Sequence, residues 1–358
     1  MRLSLLRIEN LRLFGQVELA FAPRWNLLTG ENGSGKTSVL EACYLLSHAR
    51  SFRTSMREAL VRHGEDGYAV YGEIEDAGAK VRLGIARSGR RLEARLDGTV
   101  VAVGDLMRHA AVLCFEPGSH ALVAGGSEER RRFLDWGVFH VEHEFLPVWR
   151  RYQRTLKQRN ALLRSQATAV ELDSWDEELV KAAEPLHRMR SAYVGALVPH
   201  LQALLQELLP ELGEAELAFD PGFAAEQPLA VALRGSRDRD LARGHTGVGP
   251  HRADFRLGFP GAPRREHLSR GQEKLCAFAL VMAQARLFAA GRGGWPVLCL
   301  DDLASEVDAA RQQRILGVIA ASGAQVIATG TSEPEGFAPP GDEVARFHVE
   351  QGRIARLL

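Results

Sequence analysis

The sequence predicts an α/β protein built around a phosphate-binding loop, with a mainly α-helical segment inserted between the two halves of its sheet domain. Three observations point there. An apolar strand near the N-terminus runs into a glycine-rich loop and then a helix; helical periodicity dominates the middle of the chain; and strands alternating with helices return toward the C-terminus, one strand ending in two aspartates.

Taken in order, residues 3–8 and 17–21 alternate apolar with polar side chains about a turn at 12–15, the period of half-buried strands. Residues 25–29 are nearly all apolar and lead into the loop at 30–36, after which Val39, Leu40, Cys43 and Leu46 recur at helical spacing. Further short strands are expected from 68 to 103, with turns at Ala77-Gly78, Ser88-Gly89 and Asp97-Gly98, the last an Asp-Gly hairpin signal. At F-E-P-G, 115–118, turn residues thin out and helix is expected to about residue 211. Leu186, Met189, Tyr193, Leu197, Leu201, Leu204, Leu205 and Leu208 form one helical stripe, which Pro199 is expected to kink or divide. The polar, glycine-containing run 235–249 reads as an exposed connection back to the first domain. A helix at 272–290, a strand at 297–300, a helix at 309–320 and a strand at 325–329 complete the prediction. The expected domains are 1–115, the N-terminal part of the head; 116–244, the helical lobe; and 245–358, the C-terminal part of the head.

Composition sets bounds. The 358 residues, 46% hydrophobic and 25% charged, exclude a fibrous or disordered chain. Four dispersed cysteines, without a C-x-x-C pair, read as buried thiols of a reduced compartment rather than a disulfide framework. The early charges of the N-terminus exclude a signal peptide, and no stretch approaches the roughly 20 apolar residues of a bilayer span, so a cytoplasmic protein without a membrane partner is expected. Basic and acidic residues balance at 45 each, so any polyanionic partner must be held by a local patch. Only five of the basic residues are lysine. Arginine suits bidentate phosphate contacts, and a coding bias would give the same count.

Chemistry concentrates in three places. G-E-N-G-S-G-K-T at 30–37 fits G-x-x-x-x-G-K-[ST] between a strand and a helix, where glycines let backbone N–H groups wrap phosphates, Lys36 adds a point charge and the Thr37 hydroxyl can ligate Mg²⁺. Gly30, Glu31, Asn32, Gly33, Ser34, Gly35, Lys36, Thr37 and Ser38 are therefore the candidate nucleotide-binding residues. The second place is V-L-C-L-D-D at 297–302. Asp301 could hold Mg²⁺ and Asp302 could orient or deprotonate an attacking water, or the pair could simply cap the next helix. The third is L-S-R-G-Q-E-K at 268–274, with Ser269 as an N-cap. This helix start is either a second anion site, through Ser269, Gly271 and Gln272, or a cap with no ligand.

Together the three elements resemble the ABC-type ATPases, whose signature is L-S-G-G-Q, and within them the heads of chromosome-maintenance proteins. The opening I-E-N-L-R-L-F (8–14), G-E-N-G-S-G-K-T, E-E-R-R-R-F-L-D (128–135), T-G-V-G-P-H-R-A-D (246–254), L-S-R-G-Q-E-K and L-D-D-L-A-S-E-V-D (300–308) are similar to the RecF family of DNA replication and repair proteins, over nearly the whole chain. The resemblance implies a P-loop NTPase of ABC-ATPase head type with an inserted helical lobe. It implies catalytic roles for Lys36, Asp301 and Asp302, metal binding by Thr37 and Asp301, and contact of Ser269 and Gly271 with the γ-phosphate held by a second copy. ATP and Mg²⁺ are the implied cofactors, and residues 305–308 match a loop that communicates across such dimers.

By the same resemblance the expected function is a slow, DNA-stimulated ATPase that dimerises on ATP and clamps duplex DNA at gaps or single-strand/double-strand junctions. Its implied partners in recombinational repair and replication restart are RecO and RecR, with which it helps to load recombinase. The chain departs from transporter-type relatives in carrying Asp302 in place of glutamate and Thr329-Gly330-Thr331 in place of a histidine after the last sheet strand. A subunit of another chromosome-maintenance or transport complex is the alternative. More than two hundred residues between Lys36 and Ser269 disfavour the transport version, and the proline-punctuated insertion is short for coiled-coil arms. DNA contacts are expected from local cations, with Arg50, Arg53, Arg57 and Arg62 as one candidate group and Arg150, Arg151, Arg154, Lys157, Arg159 and Arg164 as another; solvated helix faces would give the same runs.

Overall fold

The computed structural model describes residues 1–165, 168–224, 226–261, 268–303 and 308–357. Two units are formed, one from residues 1–119 with 285–358 and the other from residues 120–284.

The first unit contains two six-stranded sheets. In the antiparallel sheet, β1 (Arg2–Leu11) lies between β2 (Phe14–Ala20) and β4 (Gly67–Asp76), and the sheet continues through β5 (Ala79–Ser88), β6 (Arg91–Leu96) and β7 (Thr99–Val101). Ala77 and Gly78 have φ of 47° and 83°, and Asp97 and Gly98 have 48° and 85°. Both central residues of each turn are thus left-handed, the geometry whose twist matches paired strands. The other sheet places β3 (Trp25–Thr29) between β13 (Val344–Glu350) and β12 (Val326–Gly330), followed by β11 (Val297–Leu300) and β8 (Val112–Phe115), with β14 (Arg353–Leu357) at the far edge. All pairs are parallel except β13 with β14. Buried on both faces, β11 and β12 are continuous apolar runs without alternation.

Helix α1 (Lys36–His48) shares one hydrophobic core with both sheets, through Val39, Leu40 and Cys43 against Leu3, Leu6 and Ile8 of β1 and Cys299 of β11. Burial raises the thiol pKa of Cys114, and the hydrogen bond with Cys43, followed by burial, raises that of Cys299, in agreement with inert thiols. The short α2 (Val103–Met107) precedes β8. The β1–β2 turn is tied to α1 by Arg12, whose Nε and Nη2 each lie 2.9 Å from a carboxylate oxygen of the fully buried Glu41.

The second unit contains α3 (Ala121–Ala124), α4 (Ser127–Val141), α5 (Phe145–Arg164), α6 (Ala169–Leu208), α7 (Leu229–Arg243) and a ribbon of β9 (Glu216–Asp220) with β10 (Asp254–Gly258). Contacts group residues 245–284 with this unit, because β10 pairs with β9 of the helical part. Two expectations are corrected here, that the helix divides at Pro199 and that 235–249 is an exposed connection. Helix α6 runs unbroken for 40 residues with Pro185 and Pro199 inside it. A proline costs a helix about 3 kcal/mol, and each fully buried leucine returns ~1.5–3 kcal/mol; Leu186, Leu197, Leu201, Leu204, Leu205 and Leu208 are all 0–1% exposed. Nor is 235–249 an exposed connection: α7 occupies its first part, and Ser236, Asp240 and Thr246 are buried.

The reason for that burial is Arg159, which is 0% exposed. Its Nε donates to Asp176 at 2.6 Å, and its Nη1 donates to Asp240 at 2.9 Å and to the Thr246 hydroxyl at 2.8 Å. Arg159 is thereby removed from the DNA-contact candidates. The same unit joins two of the sequence motifs. Arg130 clamps Asp254 at 2.6 and 2.9 Å, Arg131 donates to the Ala253 carbonyl, and Arg190 bridges Asp135 and the Pro250 carbonyl. His251 donates from Nε2 to the Thr246 carbonyl at 2.9 Å and accepts the Tyr152 hydroxyl at Nδ1 at 2.7 Å, and burial lowers its pKa to about 4, so the neutral ring serves as a brace.

Helix α8 (Arg270–Arg292) corrects the reading of membrane-span length: it is long and apolar enough to cross a bilayer, but 67% of its apolar window is buried, as in a core helix. Helix α9 (Ala309–Ala320) separates β11 from β12 and is capped by the Asp308 carboxylate on the Arg311 N–H.

Candidate nucleotide site

The loop between β3 and α1 takes its shape from its glycines. Gly30, Gly33 and Gly35 have φ of 153°, 81° and 116°, and a Cβ on Gly30 would fall 2.2 Å from the Val349 carbonyl oxygen. Gly35 is the residue preceding α1, and no side chain caps that helix, so the N–H groups of Lys36 and Thr37 at its start remain donors for an anion. Lys36, 7% exposed, donates from Nζ to the carbonyls of Gly30 at 2.7 Å and Glu31 at 2.8 Å. Burial lowers its pKa, while the fields of Asp302 and Asp301 act in the opposite sense.

Thr37 follows Lys36 and points to the other half of the site. Its hydroxyl donates to Asp301 Oδ1 at 2.9 Å, and the hydroxyl of Thr329 donates to the same oxygen at 2.7 Å. Asp301 directly follows β11 and Thr329 lies in β12, the strand between β11 and the loop strand β3, so sheet order converges the three residues. Desolvation raises the Asp301 pKa, partly opposed by the two hydroxyls and by the positive field of Arg53. Asp302 is half-buried, has a left-handed φ of 49°, and its N–H donates to the Thr329 hydroxyl at 3.0 Å. A non-glycine residue held in that region is backbone strain of the kind found at functional sites.

The residues fit a triphosphate with a divalent cation. The Ser34 hydroxyl is buried in the loop without a protein hydrogen-bond partner, Lys36 supplies a cation held by carbonyls, and Thr37 with Asp301 offers the hard oxygen donors that Mg²⁺ prefers. A cleft of about 370 Å³ adjoins the loop, lined by Thr29, Gly30, Glu31, Asn32, Thr331 and His348. Ser38 is 5% exposed, and its N–H donates to the Gly35 carbonyl, which makes it part of the helix start.

The sequence reading missed the part of Thr329 in joining Asp301 to the Asp302 backbone, and the place of Thr331 and His348 beside the loop. The signal for Thr329 was its position at the end of the strand after the two aspartates. His348 carried none, because register with Thr29 across β13 and β3 is a tertiary fact.

The signature segment lies at the start of α8. Ser269 Oγ accepts the Gln272 N–H at 3.3 Å and the Gln272 side chain accepts the Ser269 N–H at 3.0 Å, a reciprocal cap. Ser269 is exposed, and Gly271 and Gln272 are half-buried. Of the communicating loop at 305–308, residues 305–307 lie outside the described residues. Among the arginine candidates, Arg53, Arg57, Arg150 and Arg154 are exposed, Arg50 is half-buried, and Arg151 is paired with Glu178 at 3.2 Å.

The Asp301 environment carries a prediction. A carboxyl whose pKa is raised by burial opposes folding once it ionises, so its cost is absent below about pH 4 and present at neutral pH. Asp301→Asn, which still accepts both hydroxyls, is expected to raise the thermal midpoint of the nucleotide-free protein at pH 7, to lose that advantage at acid pH, and to lose Mg²⁺-dependent ATP turnover. A lowered midpoint at pH 7 would show that Asp301 is stabilising and contradict this assignment.

Comparison with known proteins identifies the family and the fold. The family described as RecF/RecN/SMC N terminal domain matches residues 2–351. The chain is 47% identical to the DNA replication and repair protein RecF of Stenotrophomonas maltophilia (strain R551-3), with 99% of each chain covered, and 37% identical to that of Shewanella denitrificans over the same shares. It superimposes with a TM-score of 0.89 on a solved structure of the recombination mediator protein RecF-ATP in the RecFOR pathway, at 26% identity and covering 99% and 97% of the two chains. An Smc head bound to the C-winged helix domain of ScpA shares the fold, at a TM-score of 0.62 and 14% identity. With an ABC-type ATPase head joined to a helical lobe, and with relatives that align end to end, the chain belongs to the RecF family of DNA replication and repair proteins.

Proposed function

We propose that this protein is an ATP-dependent DNA-binding switch of replication and repair, which pairs with a second copy around two ATP molecules and releases that state by slow hydrolysis. The observation that carries the reading is the 2.9 Å bond between Thr37 and Asp301, which joins loop and aspartate strand from opposite ends of the chain into one oxygen-donor site.

Lys36 and the loop N–H groups would hold the β- and γ-phosphates, and Thr37 with Asp301 would hold Mg²⁺, which when bound neutralises phosphate charge. Asp302 would accept a proton from the water that attacks the γ-phosphorus as the bond to the bridging oxygen breaks, giving ADP and phosphate. Aspartate is one methylene shorter than glutamate, which supports slow turnover. The cap at Ser269 would exchange its internal bonds for the γ-phosphate of a partner's ATP, with the dipole of α8 favouring the anion. ATP bound across two copies stabilises the pair, and loss of the γ-phosphate removes that preference. Pairing doubles any cationic surface presented to DNA. In this family reading RecO and RecR are partners, and junctions between duplex and single strands are preferred DNA.

The test is light scattering alongside binding to gapped, duplex and single-stranded DNA, with Asp302→Asn used to slow turnover. Mg²⁺-ATP is expected to double the mass and tighten duplex binding. Unchanged mass and equal DNA affinity with and without ATP would end this reading.

A further inference from the structure

We propose that the outer face of α5 is a docking track for the phosphate backbone of duplex DNA, formed by Arg150, Arg154, Lys157 and Arg164. The proposal rests on the DNA-binding reading above and assigns a surface to it.

Helix α5 carries six basic residues and no acidic one in 20 residues. Its buried face holds Phe145, Tyr152, Thr155, Leu156, Arg159 and Leu163, which fixes the opposite face toward solvent. Structure then sorts the cations. Arg159 is neutralised by Asp176 and Asp240 inside the unit, and Arg151 is paired with Glu178. Arg150, Arg154, Lys157 and Arg164 are exposed, and none has a carboxylate partner among the ion pairs of the described residues; Arg164 reaches only the Gly244 carbonyl, at 3.4 Å.

These four stand at steps of four, three and seven residues, which keeps them on one stripe about 21 Å long at 1.5 Å per residue. Over that length a duplex presents about six phosphates on its near strand. Four unpaired cations in a row on a rigid helix match a linear array of fixed anions, and they supply a local patch of the kind a chain of zero net charge needs to hold a polyanion. By contrast, exposed cations on two other helices of the unit are paired with carboxylates, Arg132 with Glu128 and Glu129, and Arg188 with Glu184.

The experiment compares the slope of log affinity against log salt for duplex DNA, with ATP present. The three proteins are the unaltered chain, a variant with Arg150, Arg154, Lys157 and Arg164 all changed to glutamine, and a control with exposed Arg90, Arg91 and Arg95 of the β5–β6 hairpin changed to glutamine. Each phosphate contact contributes about 0.9 to the slope, so the four-site variant is expected to lose roughly 3–4 for each copy that engages the duplex, while the control keeps the parental slope. Far-UV circular dichroism and thermal midpoints confirm folding, which exposed substitutions leave nearly unchanged. If the unaltered chain binds duplex DNA and the four-site variant keeps its slope, the track is refuted while DNA binding stands, and the stripe falls to an acidic protein surface. If the unaltered chain fails to bind, both fall together.

Discussion

Lys36→Ala is expected to weaken ATP binding by about 10- to 150-fold, the equivalent of the ~1.5–3 kcal/mol of a hydrogen bond to a charged group. The substitution removes the one ammonium inside the loop, while the N–H groups of the α1 start remain. Fold should survive, because burial already disfavours the charged form of Lys36 and alanine relieves that cost. Isothermal titration with ATP and a thermal scan of the same sample decide the matter. Retained affinity would place the triphosphate elsewhere, and a collapsed midpoint would show that Lys36 holds the loop rather than the ligand.

The largest effect on stability is expected from Asp240→Ala. Asp240 is 1% exposed, accepts from Arg159 at 2.9 Å and also accepts the Gly247 N–H at 2.9 Å. Its removal leaves a buried guanidinium short of one carboxylate and a backbone donor unmatched, a loss of about 3–5 kcal/mol for a broken buried pair. Urea unfolding of the helical unit measures it. Removing Lys181, whose partner Glu178 and own side chain are both largely exposed, should cost under about 1 kcal/mol. Equal losses in the two variants would contradict the reading of Arg159 as the centre of the unit.

That centre also marks where the sequence stopped being legible. The head could be read because its information is local: apolar runs give strands, glycines at 30, 33 and 35 give the loop, and period-two alternation gives the antiparallel sheet. The expected helix at 309–320 matches α9 at both ends, since Asp308 caps it visibly. The helical unit was harder. Arg159 looks like its exposed neighbours in sequence, and only the packing of α5, α6 and α7 distinguishes a buried arginine from a solvated one. The polar composition of 235–249 concealed Asp240 and Thr246 for the same reason, because polar residues that satisfy a buried charge read as loop. Pro199 was legible as a local cost, whereas the leucines that outweigh it act through tertiary contacts. At the site, the roles proposed for Lys36, Thr37 and Asp301 rest on motif chemistry, and the hydroxyl of Thr329 emerged only when strand order set β12 between β3 and β11.

The central claim is that each ATP is held by the loop of one copy and the signature of another. It is tested most directly by mixing two individually inactive variants, Lys36→Ala and Ser269→Arg. Alone, the first lacks a loop and the second lacks a signature, so neither pair has a complete pocket. A mixed pair has one complete pocket, made from the loop of the Ser269→Arg chain and the signature of the Lys36→Ala chain. Mixing is expected to restore ATP-dependent doubling of mass and a share of the hydrolysis that neither variant shows alone. Undiminished turnover by Ser269→Arg on its own, or silence of the mixture, would contradict the shared pocket.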